Sequence, residues 1–344
     1  MAVTERLPVR VAGAPSARSA RNALLVAGVL LTLVLALRLA DATGVAQLQN
    51  FLLVFTSLLI EAFPFILLGA LVSAAIEVFV PASFFARLGR LPAYLQTPIA
   101  GLGGFAFPVC ECGSVPVARR LASKGLAPSA ALTFMLAAPV LNPIVLIATA
   151  VAYRGREYAW VMVGGRAVLA FVVAGAAGWV LGSRSRAELL RAADEDPCAN
   201  CAEDHGGHPR EPRWKEFSSH LAGDFLMLGK YLVIGAAAAG ILQTFVPQSI
   251  IGAVADAPVL SIVALMGLAA ALSLCSQSDA FVAASFVQFG PASQLAFLVF
   301  GPMFDAKLAF LYGGTFSRGF VRTLVLVVAA VTLAGTLWLQ VVVG

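Results

Sequence analysis

The chain has 344 residues, of which 60% are apolar and 12% charged, with a net charge of +5 and a mean hydropathy of +0.90. Soluble domains are about 45–50% apolar and about 25% charged, so this composition excludes a water-soluble enzyme or binding module and leaves a polytopic membrane protein. The positive balance fits basic cytoplasmic loops. No basic stripe with interleaved aromatics points to nucleic acid, and an odd count of five cysteines does not read as a secreted disulfide framework.

A bilayer crossing takes about 20 mainly apolar residues. Residues 1–22 form a tail carrying Arg6, Arg10, Arg18 and Arg21, which places the N-terminus in the cytoplasm. Residues 23–47 hold a first span, Ala23–Ala40, read as an uncleaved anchor with a cleaved signal peptide as the alternative. Longer candidates follow at Leu48–Val80 (with Pro64 inside it), Pro128–Val151, Tyr158–Leu181, His220–Val246, Ala292–Tyr312 and Phe320–Val343. Thr97–Val109 is too short to cross and Ala257–Leu274 is borderline. Each runs into a Cys-containing segment, so both read as broken, re-entrant helices lining a cavity, with complete crossings as the rival. On this reading Arg87, Arg90, Arg119, Arg120, Lys124, Arg318 and Arg322 are cytoplasmic, and Arg154 and Arg156 form the discordant loop.

The chain also resembles itself. GALVSAAIEVFVPASFF from Gly69 answers GAAAAGILQTFVPQSII from Gly235; PVCECGSVPVA from Pro108 answers SLCSQSDAFVAA from Ser273; ALTFMLAAPVLNP from Ala131 answers QLAFLVFGPMFDA from Gln294. Three anchors in one order at a nearly constant offset indicate duplication. An odd number of crossings between the units gives an inverted repeat, residues 48–182 and 219–344. The expected fold is therefore all-α, a polytopic membrane protein with two inverted-topology repeats and paired broken helices. The intervening loop, 183–218, is dense in charge and expected to be aqueous, flexible and cytoplasmic.

Chemistry concentrates in the paired breaks. Cys110-Glu111-Cys112-Gly113-Ser114-Val115-Pro116 faces Cys275-Ser276-Gln277-Ser278-Asp279. Thiolates bind soft, thiophilic species such as Cu(I) or trivalent arsenic; the plain alternative is that buried Cys packs as a small hydrophobe. Cys110, Cys112 and Cys275, with the hydroxyls of Ser114 and Ser276, are the candidate substrate ligands. Ionisable groups inside a membrane are costly, so Glu111, Asp279 and Asp305 are candidates for proton coupling, with a structural ion pair such as Asp305–Lys307 as the alternative. Gly113, Pro116, Pro139, Asn142 and Pro302 are candidate hinge or backbone positions, Asn142 standing where the second unit has Asp305. Glu77 reads as reaching the interface and His220 as a surface residue. In the loop, Cys198, Cys201, His205 and His208 offer two thiolates and two imidazoles for zinc or a soft metalloid, against a merely polar linker; no other cofactor is expected.

At PVCECGSVPVARRLASKGLAPSAALTFMLAAPVLNPIV the chain resembles the ArsP-like predicted permeases, bacterial inner-membrane proteins whose characterised members expel trivalent organoarsenicals. The resemblance covers about residues 45–340 and rests on the Cys-x-Cys-Gly segment, the helix ending Ala-Ala-Pro-Val-Leu-Asn-Pro, and the later Cys-Ser-x-Ser-Asp-Ala-Phe-Val-Ala-Ala-Ser-Phe. It implies that Cys110, Cys112 and Cys275 are the metalloid-binding thiols. Glu111 departs from the small residue expected there and sets a negative charge beside the ligands. No Walker G-x4-G-K-[ST] pattern is present, so transport is expected to be gradient-driven. The sequence therefore reads as a permease, not an enzyme, in a bacterial-type inner membrane, with lipid and a small-molecule or metalloid substrate as partners and a homo-oligomer as an option. A permease for Cu(I) or a small sulfur compound is the second reading, and a membrane thiol-disulfide oxidoreductase the third.

Overall fold

Backbone amides in lipid must be satisfied within the chain, which leaves helices as the economical element for apolar segments. The computed structural model describes residues 46–81, 87–88, 90–106, 109–194, 213–245 and 257–343, and among them all regular structure is helical. The chain divides into two compact units, Met1–Leu53 and Val54–Gly344; in the first, the opening turns of the first long helix are described. The expected span Ala23–Ala40 and the loop residues Cys198, Cys201, His205 and His208 lie outside the described residues.

Among the described residues, six helices precede the loop: α1 (Ala46–Phe79), α2 (Ala93–Ala106), α3 (Glu111–Ser123), α4 (Pro128–Leu141), α5 (Pro143–Ala152) and α6 (Ala159–Asp194). Six follow it: α7 (Arg213–Phe245), α8 (Pro258–Leu272), α9 (Asp279–Ser285), α10 (Pro291–Phe300), α11 (Ala306–Thr315) and α12 (Arg318–Val343). The order is the same twice over: a long helix, a short one, a Cys-bearing break, three short helices, a long helix. Among the described residues, five stretches are long and apolar enough to cross a membrane, the α4–α5 tandem among them. At about 1.5 Å per residue, α2, α3 and α8 each reach only about two-thirds of a hydrocarbon core of about 30 Å.

The breaks have local causes. Pro143 follows Asn142 and has no N–H to continue α4; the Asn142 side chain instead accepts from the Ile144 amide at 3.0 Å and starts α5. Asp305 does the same for α11, accepting from Leu308 N–H at 2.7 Å. Ser273 ends α8 in the left-handed conformation, at φ 48°, a strained choice for a residue with a side chain. Its hydroxyl accepts from the Ala306 amide at 3.2 Å, which docks the second break on the start of α11.

Two expectations are corrected. Ala292–Tyr312 is not one helix: it splits at Gly301–Asp305 into α10 and α11, because the Asp305 side chain caps a new helix rather than letting the old one run on. Nor is the whole of 183–218 loop, since α6 continues to Asp194 and α7 already begins at Arg213.

The long helices approach the breaks through glycine. A Cβ on Gly69 of α1 would lie 2.5 Å from Cα of Gly113, and one on Gly113 would lie 2.9 Å from Cα of Gly69. On α7, a Cβ on Gly235 would lie 2.8 Å from Cα of Lys307. Gly69 and Gly235 are the equivalent positions of the two sequence units. In both, the missing side chain lets a long helix lie backbone to backbone against a charged or thiol-bearing segment.

Candidate functional site

Cys110 is extended and precedes α3 (φ −80°, ψ 175°), so Glu111 and Cys112 occupy that helix's first turn. Carboxylates are favoured there by the helix dipole, and Asp279 likewise opens α9. Cys110, Cys112 and Cys275 are all free thiols and all buried. The Cys110 and Cys112 thiols lie beside each other, and Glu111 and Lys307 lie within electrostatic reach of both Cys112 and Cys275. The two breaks meet directly: Ser276 Oγ donates to Glu111 Oε2 at 3.3 Å, joining the residues that the repeat places at equivalent positions.

Two buried ion pairs cross between the halves. Lys307 Nζ lies 3.2 Å from Glu111 Oε1 and 3.4 Å from Asp305 Oδ2. Arg166 of α6 grips Asp279 with both nitrogens, Nη1 to Oδ1 at 2.9 Å and Nη2 to Oδ2 at 2.7 Å. Nη1 also donates to Thr149 Oγ1 at 2.9 Å, and Nη2 to the Ser276 carbonyl at 3.2 Å. Arg166 is fully buried. At the other end of α9, Arg156 Nη2 donates to the Ala284 carbonyl at 2.6 Å and its guanidinium lies over the Tyr153 and Tyr158 rings. The discordant basic loop thus caps a helix C-terminus and holds α9 against the first half.

A narrow cleft with about 10 Å³ of free space, room for a single water, opens on this centre, lined by Ile66, Cys112, Leu228, Leu232, Lys307 and Leu311. One or two helical turns further along α1, α3 and α7 lies a second polar cluster. Ser73 Oγ donates to Asp224 Oδ2 at 2.6 Å, and Arg120 lies 3.7 Å from Asp224, 3.8 Å from Glu77 and 3.2 Å from His220 Nδ1. Lys124 Nζ caps the end of α1 through the carbonyls of Ile76, Glu77 and Val80. His220 is therefore not a surface residue but buried in α7, because it faces Arg120. Arg119 is buried too, its guanidinium donating to Met227 Sδ at 3.3 Å.

The structure gathers Cys110, Glu111, Cys112, Gly113, Cys275, Ser276, Asp279 and Asp305 about one centre. Ser114 donates to the Glu111 carbonyl within its own helix. Pro116 and Pro139 lie inside α3 and α4, Asn142 at the α4–α5 break, and Pro302 in the turn after α10. Glu61 joins the edge of the centre, accepting from Ser278 Oγ at 3.2 Å. Among the described residues no three His, Cys, Asp or Glu side chains are arranged to hold a metal ion. The main functional residue missed in the sequence is Arg166. Its signal was plain, a lone charge inside the Tyr158–Leu181 span, but nothing local named its partner.

Described residues that are all helical, with five crossing-length stretches and a buried ion-pair centre, mark a multi-pass membrane protein. The chain belongs to the ArsP_1 predicted permease family, whose model matches residues 47–340. It is 38% identical over 290 residues to the UPF0718 protein YcgR of Bacillus subtilis, covering 83% of this chain and 95% of that one. It is 34% identical over 273 residues to a Streptococcus mutans protein described as a candidate subunit of a two-component membrane permease complex, covering 78% and 88%. No solved structure matches the chain.

Proposed function

We propose that this permease exports a soft, thiol-seeking solute, foremost trivalent organoarsenicals, by gradient-driven alternating access between two inverted halves in a bacterial inner membrane, N-terminus inside. The observation that carries the reading is the meeting of two broken segments, one from each half, with three buried thiols around the Glu111–Lys307 pair at a cleft. An arsenical bearing two hydroxyls exchanges them for two thiols: two S–H and two As–O bonds break, two As–S bonds form, and two waters leave without any change of oxidation state. The contacting pair Cys110 and Cys112 suits such a chelate, with Cys275 as the alternate ligand when the halves rock. Repeated element order, equivalent glycines at the close crossings and the Glu111–Ser276 contact support the two-half reading. Trp160 and Trp179 on α6 are both strongly exposed and stand about 28 Å apart along the helix, the separation of two aromatic belts. Arg166 falls between them, which supports a centre inside the bilayer.

The same three thiols also suit Cu(I), so a permease for Cu(I) or a small sulfur compound is the second reading. The Streptococcus relative's description makes a separate partner subunit an expectation beside self-association. Cys110→Ala, Cys112→Ala and Cys275→Ala, each expressed in an arsenical-sensitive host, are expected to lose resistance to monomethylarsenite, and everted vesicles from these cells to lose its accumulation. Full resistance in all three removes the thiols from the mechanism; accumulation of thiosulfate in place of the arsenical selects the second reading.

A further inference from the structure

The charges of the centre do not balance. Arg166 and Asp279 close on each other through two hydrogen bonds, leaving Lys307 alone between Glu111 at 3.2 Å and Asp305 at 3.4 Å. All three side chains are at least nine-tenths buried, so two carboxylates share one ammonium. A surplus buried charge is costly, and a carboxyl in that position relieves it by taking a proton.

Geometry tells the two carboxyls apart. Glu111 has a partner on each oxygen, Lys307 Nζ on Oε1 and Ser276 Oγ on Oε2. Asp305 Oδ1 accepts from the Leu308 amide, but its buried Oδ2 has only the ion-pair contact with Lys307 Nζ at 3.4 Å and no hydrogen bond of good geometry. The duplicated sequence supplies an internal control. Asn142, the equivalent residue, caps α5 through the same side-chain oxygen without a charge, so capping does not call for a carboxylate. Where the first half has Asn142 and Ile144, the second has Asp305 and Lys307; the charged pair was placed on one side only.

We propose that Asp305 Oδ2 is the coupling-proton site of this permease, an assignment that rests on the gradient-driven reading above and narrows it to one of three carboxyls. With Asp305 protonated, Lys307 belongs to Glu111. When the proton leaves for water, Lys307 divides between the two carboxylates and its hold on Glu111 slackens. Glu111 lies between Cys110 and Cys112, so the proton on Asp305 is linked to thiol geometry through three consecutive side chains. The ionisable groups facing Asp305 are Lys307 and Tyr312 from α11 and Glu111 from α3, with Cys112 next beyond.

The test is infrared difference spectroscopy of the full-length protein in lipid nanodiscs, following the carbonyl stretch of a protonated carboxylic acid as pH is raised. Wild type is expected to show one such band, lost at alkaline pH, and Asp305→Asn to lose it. Lys307→Gln, which leaves two carboxyls and no ammonium, is expected to show about twice the band. A band that persists in Asp305→Asn, or one that disappears only in Glu111→Gln, overturns the assignment, as does an unaltered band in Lys307→Gln. Displacement of the band by sodium at constant pH also overturns it, since the site then takes a metal cation. Phenylarsine oxide is added as a separate arm. If it fails to protect the three thiols from alkylation the arsenical reading falls, while the band and the proton assignment stand.

Discussion

Replacing Arg166 by Met tests how the second broken segment is held. Arg166 is fully buried and Asp279 nearly so, and four hydrogen bonds from the guanidinium reach Asp279, Thr149 and the Ser276 carbonyl. Removing one partner of such a pair strands the other's charge and costs about 3–5 kcal/mol, a hundred- to several-thousand-fold in the folding equilibrium. Removing both charges, as in Arg166→Met/Asp279→Leu, lifts that penalty. Thr149 keeps its bond to the Val145 carbonyl, so the residual loss is the orphaned Ser276 carbonyl, about 1–3 kcal/mol. The double variant is therefore expected to recover at least part of the single variant's loss. The assay is equilibrium unfolding in mixed micelles with a double-mutant cycle, and maleimide labelling of Cys275 alongside it. The single variant should label faster, because the segment between Cys275 and Asp279 loses both tethers to α6. A single-variant cost below about 1 kcal/mol, or a double variant no more stable than the single, refutes the claim that this pair holds the segment.

Two smaller predictions follow from packing and from the bilayer. Gly69→Ala and Gly113→Ala each drive a methyl into facing backbone and should destabilise by about 1–3 kcal/mol in the same unfolding assay; Gly164→Ala, with open space around it, should be neutral, and equal effects at all three would refute the crossing. Variants keeping Trp160 or Trp179 as the sole tryptophan should both be quenched best by lipids brominated near the headgroup. Strongest quenching of either by bromine at the acyl-chain ends would contradict their assignment to opposite interfaces.

Much of the fold was legible because the bilayer acts as a solvent on each segment separately. An apolar run of sufficient length declares itself without reference to the rest of the chain, and so do Pro143 after Asn142 and the short apolar runs ending at Cys-bearing breaks. Comparison of the chain with itself aligned Gly69 with Gly235 and Asn142 with Asp305, and the structure gives each pair the same local job. The split of Ala292–Tyr312 was not legible from hydropathy, which averages over the turn at Gly301–Asp305 and does not register a capping side chain.

The sequence alone determined which groups would be costly in a membrane: Glu111, Asp279, Asp305 and Lys307, and Arg166 inside the Tyr158–Leu181 span. Each is a local fact of residue type and apolar surroundings. Only the tertiary structure decided who neutralises whom. Arg166 meets Asp279 and Lys307 meets Glu111 across more than a hundred residues of chain, while His220 is drawn inside by Arg120. Burial cost belongs to one residue and its neighbours in sequence. Its compensation belongs to a pair of distant segments, and no local pattern encodes which pair folding will bring together.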